Sequence, residues 1–314
     1  MSKIAFVFPG QGSQAVGMLK DVYAASEDAK KMIDEGNEAL GFSLSNLMFE
    51  GPAEDLTLTY HAQPALLTAS AVLLNELTKE GIKPDYVAGH SLGEYSALVA
   101  AGSISYIDGV KTVHTRGQLM NKAVPAGEGT MAAVLGLDAE ELEKVTAEIS
   151  DNGDVVQLAN INCPGQIVIS GTVAGVEKAG ALAKERGAKR VLPLNVSGPF
   201  HSALMKPAAE EFKNVLANIT ISNASVPVVA NVTAEPMTEA KEISERLVEQ
   251  LYSPVRFHES VERMLNDGVD TFIEIGAGKV LSGLVKKVNR RATVHAVYDM
   301  ESLQKTVQSL KDGE

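Results

Sequence analysis

Apolar residues run unbroken from Ile4 to Phe8, the mark of a strand buried on both faces, so a first strand is predicted over Lys3 to Phe8. From 19 to 50, and again from 54 to 80, the apolar positions fall at the three-and-four spacing of helices. Ala65, Leu66, Ala69, Val72, Leu73 and Leu77 form a broad apolar surface there, and His61-Ala62-Gln63-Pro64 reads as a helix start inside the second stretch. A short strand ends at Tyr86-Val87-Ala88, and a buried helix begins at Ser96. Ser105, with Asp108 three residues on, predicts a capped helix through Val110, Val113, Gly117 and Met120.

After Pro125-Ala126-Gly127 the pattern changes. A strand at 130–135, a helix at 139–149, strands at 155–161 and 166–170, a helix at 173–186 and a strand at 190–194 follow in turn. The order βαββαβ is that of a ferredoxin-like split unit. It predicts a small domain at 127–195 inserted into a larger α/β domain made of 1–126 and 196–314. The larger domain resumes with a helix at 203–217, a strand at 226–230, helices at 238–251 and 257–267, and strands at 271–275 and 293–297. A short polar tail is expected to close the chain.

Composition narrows the function classes. A net charge of −12 in 314 residues argues against a general binder of nucleic acid or anionic membranes. The single cysteine, Cys163, excludes an intrachain disulfide and a multi-cysteine zinc site. It suits a reducing cytoplasm, and its place in a Pro-Gly turn reads as structural. The apolar run at the start is too short for a signal-peptide core, and nothing reaches transmembrane length. No His, Asp and Glu group has metal-ligand spacing, so no metal and no cofactor is expected.

The chemistry concentrates at Gly89-His90-Ser91-Leu92-Gly93, which fits the G-x-S-x-G nucleophile elbow between a strand and a helix. Small residues two before and two after the serine let the strand and helix backbones nearly touch. The hydroxyl then projects away from the sheet, toward amides that can hold an oxyanion. Two other glycine-rich turns are weaker signals. Gly10, Gly12 and Ala15 match a dinucleotide fingerprint, but that requires a second strand and an acid where 19–50 shows helices. Gly276-Ala277-Gly278-Lys279 lacks the earlier glycine of a P-loop, and Val280 stands where Ser or Thr must bind the metal. Arg116 lies beside Val113 and Met120 on an apolar stripe without an acid three or four residues away. It is either a snorkelling surface arginine or the partner of an anionic ligand. Gln63 is a capping or packing residue, or it lines a site near Ser91. His61, His114, His258 and His295 carry no motif.

Taken together, Phe8-Pro9-Gly10-Gln11-Gly12-Ser13-Gln14, Gly89-His90-Ser91-Leu92-Gly93-Glu94-Tyr95 and Gly198-Pro199-Phe200-His201 resemble the malonyl-CoA:acyl carrier protein transacylases of bacterial fatty acid synthesis. The resemblance spans nearly the whole chain. It implies an α/β-hydrolase-like large domain around Ser91, with the ferredoxin-like domain covering the cleft. It also implies malonyl transfer from coenzyme A to the phosphopantetheine thiol of acyl carrier protein. A cytoplasmic protein, and a monomer, is expected. Ser91 falls on the family nucleophile, His201 on the base and Arg116 on the arginine that binds the malonyl carboxylate. The amides of Gln11 and Leu92 fall on the oxyanion hole. The backbone carbonyl of Gln250 falls where the family orients its histidine, in place of a triad acid. In related polyketide domains a Phe before the histidine accompanies malonyl choice, which implicates Phe200. Carrier proteins of this family are acidic, so docking to a chain at −12 calls for a local cationic surface. Lys184, Arg186, Lys189 and Arg190 form one candidate cluster, and Lys286, Lys287, Arg290 and Arg291 another. A serine thioesterase or hydrolase on the same elbow, or an acyltransferase serving polyketide synthesis, are the alternatives.

Overall fold

A computed structural model describes residues 2–125 and 127–312. Ala126, where the sequence reading ends the first segment of the large domain, lies outside the described residues, as do Met1, Gly313 and Glu314. Among the described residues ten strands form two sheets: β1 (Lys3–Phe8), β2 (Tyr86–Gly89), β3 (Gly129–Leu135), β4 (Val156–Cys163), β5 (Gln166–Thr172), β6 (Arg190–Pro193), β7 (Val228–Val229), β8 (Pro236–Met237), β9 (Val269–Ile275) and β10 (Thr293–Val297).

The larger sheet has the order β10-β9-β1-β2-β7-β8. It is parallel apart from the β7–β8 pairing. β1 is central, and its side chains alternate between two cores as the period of a strand demands. Phe6 and Phe8 pack with Leu66, Ala69 and Leu73 on one face, and Ala5 and Val7 pack with Phe257, Val261 and Leu281 on the other. The smaller sheet is antiparallel in the order β4-β5-β3-β6. With helices Ala139–Asp151 and Val173–Glu185 it is the βαββαβ unit that the element order implies, closed over Val134, Leu142, Val145, Ile169 and Ala179.

Three local expectations are corrected. The helix read as starting at His61-Ala62-Gln63-Pro64 begins at Thr59 and carries Pro64 inside it, running to Lys79. Proline has no N–H for the Tyr60 carbonyl one turn back, and His114 Nδ1 donates to that carbonyl instead, at 2.7 Å. The strand expected at 226–230 pairs only over Val228–Val229. Pro227 has no N–H to give, and Ala230 N already bonds Glu235 O in the turn to β8. The polar tail is a helix, Met300–Asp312, that buries Leu303 and Val307.

The turns after β1, β2 and β9 gather at the carboxyl end of the parallel strands, where open α/β sheets place their ligands. The Gly276-Ala277-Gly278-Lys279 turn is filled by the protein itself. Glu274, fully buried at the end of β9, accepts from Leu281 N, Ser282 N and Ser282 Oγ at 3.0, 2.7 and 2.7 Å. An internal carboxylate thus occupies the start of helix Val280–Val288, which a P-loop would offer to phosphate.

Candidate active site

The elbow is built as the glycine spacing requires. A Cβ on Gly89 would lie 1.9 Å from the Gly93 carbonyl carbon, and one on Gly93 would lie 2.0 Å from Phe8 O. Only glycine lets β2, helix Gly93–Ala100 and the end of β1 approach this closely. Ser91 sits at the apex with φ 52°. Its amide donates to Asn231 Oδ1 at 2.8 Å, and Asn231 Nδ2 donates to Gly89 O at 2.6 Å, which ties the left-handed turn to the next strand of the sheet.

His201 also lies in the left-handed region, at φ 57°. Its ring bridges two groups: Nδ1–H donates to the Gln250 carbonyl at 2.8 Å, and Nε2 accepts from Ser91 Oγ at 2.8 Å. Burial first, and then the Arg116 charge, push its imidazole down to about 3 against the pull of the Gln250 carbonyl. The ring is therefore neutral near pH 7, with the free lone pair aimed at the serine hydroxyl, which is the state a general base requires.

Arg116 projects inward from helix Tyr106–Lys122 and is 1% exposed, so it is not a surface side chain. Nη1 donates to Gln63 Oε1 at 2.8 Å. Nη2 donates to Gln250 Oε1 at 2.8 Å and to Ser91 Oγ at 3.2 Å. Among the described residues its Nε has no partner, and the guanidinium carbon stands 5.3 Å from the centroid of the Tyr95 ring. Desolvation lowers its pKa, opposed by Tyr95 and Glu94. Every direct hydrogen-bond acceptor around this buried cation is a neutral oxygen.

The nearest counter-charge acts at one remove. Gln250 Nε2 donates to Glu94 Oε2 at 2.6 Å and to Ser91 O at 2.9 Å. Glu94 is fully buried, and burial pushes its carboxyl up to about 7, although Gln250, Asn231 and Arg116 all pull it down.

Of the remaining candidates, Leu92 follows the serine at the elbow, and Gln11 lies in the turn after β1 with its Nε2 donating to Thr59 Oγ1 at 3.3 Å. Among the described residues neither the Gln11 nor the Leu92 backbone N–H has an acceptor. Phe200 is buried beside His201. His90 turns away from the serine, its Nε2 bonding Asn162 Oδ1 at 2.7 Å. Glu94 and Asn231 reach the site although the sequence reading gave neither a role, Gln157 Nε2 donates to the His201 carbonyl from β4 at 3.3 Å, and Gln63 joins the site rather than serving as a cap. Glu94 carried one usable signal, its place in the first turn of a helix otherwise apolar at Leu92, Tyr95, Ala97 and Leu98. No group of three or more His, Cys, Asp and Glu side chains among the described residues converges as a metal site. No helix there is long and apolar enough to cross a membrane.

An elbow serine, a neutral imidazole fixed by a carbonyl and two open amides make up a site for covalent acyl chemistry. A family model described as an acyl transferase domain matches residues 5–310. A malonyl CoA-acyl carrier protein transacylase of Bacillus subtilis (strain 168) is 62% identical over 312 residues, covering 99% of this chain and 98% of that protein. An acyl carrier protein S-malonyltransferase from Vibrio cholerae O1 biovar eltor str. N16961 is 48% identical, with a TM-score of 0.95 over 97% of this chain and 100% of that one. A malonyl-transacylase solved in complex with its type II PKS acyl-carrier protein is 44% identical, with a TM-score of 0.95 over 98% of this chain and 100% of that one. The chain belongs to the acyl transferase family and, within it, to the malonyl CoA-acyl carrier protein transacylases. These relatives favour acyl transfer over the hydrolase alternative.

Proposed function

We propose that this chain transfers the malonyl group from malonyl-CoA to the phosphopantetheine thiol of acyl carrier protein, in fatty acid synthesis, through a malonyl-serine on Ser91. The observation that carries the reading is the 3.2 Å contact between Arg116 Nη2 and Ser91 Oγ. In a malonyl thioester the carboxylate is one methylene from the reacting carbonyl. Its partner must therefore lie within a hydrogen bond or two of the nucleophile.

His201 takes the Ser91 proton as Oγ attacks the thioester carbon, and the amides of Gln11 and Leu92 hold the oxyanion. The coenzyme A thiolate leaves with the proton from His201. The carrier thiol then gives its proton to His201 and attacks the malonyl carbonyl, and the serine ester bond breaks as Ser91 Oγ takes that proton back from His201. Arg116 exchanges neutral oxygens for the malonyl carboxylate, a charge-assisted pairing in a fork geometry. Phe200 crowds the α-carbon against a methyl branch. The two units divide at 127–195 as the element order suggests. A monomer in the cytoplasm is the state this reading assumes. Intact mass after incubation with malonyl-CoA should rise by one malonyl group and fall back when carrier protein is added. Decay of the adduct at the same rate without an acceptor thiol would identify a hydrolase instead.

Carrier docking belongs to the same reading. Arg186 is withdrawn from the first basic cluster, because Glu141 and Glu148 pair with it at 2.9 and 2.5 Å. One lysine from each cluster lies against a shared turn. Lys287 Nζ reaches across to Gln166 Oε1 at 2.8 Å. The Lys189 side chain lies over Gly136, whose amide bonds Gly165 O in the same turn. That turn touches the elbow through His90 and Asn162. A basic surface beside the cleft would steer an acidic carrier, with an effect that fades with salt. Lys189→Glu with Lys287→Glu should raise KM for carrier about tenfold at low ionic strength and leave loading from malonyl-CoA nearly unchanged. An unchanged carrier KM would place docking elsewhere.

A further inference from the structure

The His201 backbone is held from both sides. Its N–H donates to Leu251 O at 3.1 Å, within the large sheet's own scaffold. Its carbonyl is held from the other sheet: Gln157 Nε2, on β4, donates to His201 O and to Tyr252 O, each at 3.3 Å. The Oε1 of the same side chain accepts from Ala203 N at 2.9 Å. One amide thus grips the two peptides that follow His201 and the segment just beyond Gln250, whose carbonyl sets the ring. The strand beneath is fastened to that segment too, since Val255 N donates to Ala159 O and Ile161 N to Val255 O, both at 2.8 Å. A non-glycine residue at φ 57° holds its conformation only where its surroundings over-determine it. At His201 part of that determination comes from the inserted sheet.

We propose that Gln157 is a positioning residue for the base, through which the seating of the small sheet governs the Ser91–His201 hydrogen bond. The proposal rests on the reading of His201 as the base. The small sheet is then part of the catalytic scaffold as well as a cover over the cleft. A carrier or coenzyme that shifts the sheet acts on proton transfer as well as on binding.

The test compares Gln157→Ala, Gln157→Glu and His201→Ala in the full chain. Glutamate keeps the acceptor for Ala203 N and replaces the donor facing two carbonyls with an oxygen, so it serves also if the alanine variant does not fold. Malonyl loading is measured as a rate per active site, with sites counted by the final malonyl-serine stoichiometry. Labelling of Ser91 by a small fluorophosphonate, which uses neither Arg116 nor carrier, is measured alongside. Misplacing a catalytic group by a fraction of an ångström costs severalfold or more in rate. Both Gln157 variants should therefore lose about tenfold in loading kcat and in labelling rate, with KM for malonyl-CoA changed less than twofold. A merely structural role would lower the number of active sites or the melting temperature and leave the rate per site unchanged, which overturns the proposal. If His201→Ala itself labels and loads normally, the assignment of the base fails. If His201→Ala is inactive while a folded Gln157 variant is normal, only the positioning role fails.

Discussion

Ser91→Ala should keep the fold and lose the covalent chemistry. Incubated with malonyl-CoA, the variant should show no malonyl mass increment, and transfer to carrier should fall by about 10⁴-fold or more, as it does when the nucleophile of a serine–histidine pair is removed. The fold should survive because the turn is imposed by Gly89 and Gly93 and by the Asn231 bond to the Ser91 amide, none of which uses the hydroxyl. A malonyl adduct that persists on the variant would move the nucleophile elsewhere. Far-ultraviolet circular dichroism and the melting temperature separate loss of chemistry from loss of structure.

Arg116→Ala should change which acyl group the enzyme accepts. A charge-assisted hydrogen bond contributes about 1.5–3 kcal/mol, so kcat/KM for malonyl-CoA should fall about ten- to hundredfold. Acetyl-CoA, which offers no carboxylate, should lose less or even gain. The substitution also leaves Gln63 Oε1 and Gln250 Oε1 without their donor and removes the cation that partly offsets the burial of Glu94, so some stability is lost whichever substrate is used. The ratio of the two kcat/KM values, which cancels that shared loss, is the quantity to measure. Equal losses for malonyl and acetyl would refute the assignment. Arg116→Lys should fall between, since an ammonium keeps the charge but cannot present two parallel donors.

The elbow was legible because its cause is local: two glycines four residues apart answer a steric demand within one turn. The βαββαβ unit was legible for a similar reason: its strands and helices all lie within one short stretch of chain, each with its own periodicity, although the sheet orders the strands β4-β5-β3-β6. Arg116 was half legible. Its apolar neighbours flagged a buried charge, but its acceptors come from Gln63 and Gln250, on two other helices that no spacing rule connects. His201 stood apart from the other histidines only through the Gly198-Pro199-Phe200-His201 resemblance. Asn231 and Gln157 gave no signal, since an amide becomes informative only once the turn or carbonyl it grips is known. The last helix was misread because Leu303, Val307 and Leu310 are spaced correctly but sparsely among charged residues.

The strand order of the large sheet also bears on how the chain is made. β1, made before the other strands of its sheet, pairs with β2 and with β9, so its second neighbour is synthesised long after it. The inserted sheet, by contrast, pairs wholly within Gly129–Pro193. Contacts distant in sequence form slowly, because a long loop must close before they are rewarded. Until β9 emerges, the apolar run Ile4–Phe8 has one edge unpaired, which leaves it open to misassociation. During synthesis the inserted sheet can therefore close on itself while β1 still waits, half-paired, for the large sheet to be completed.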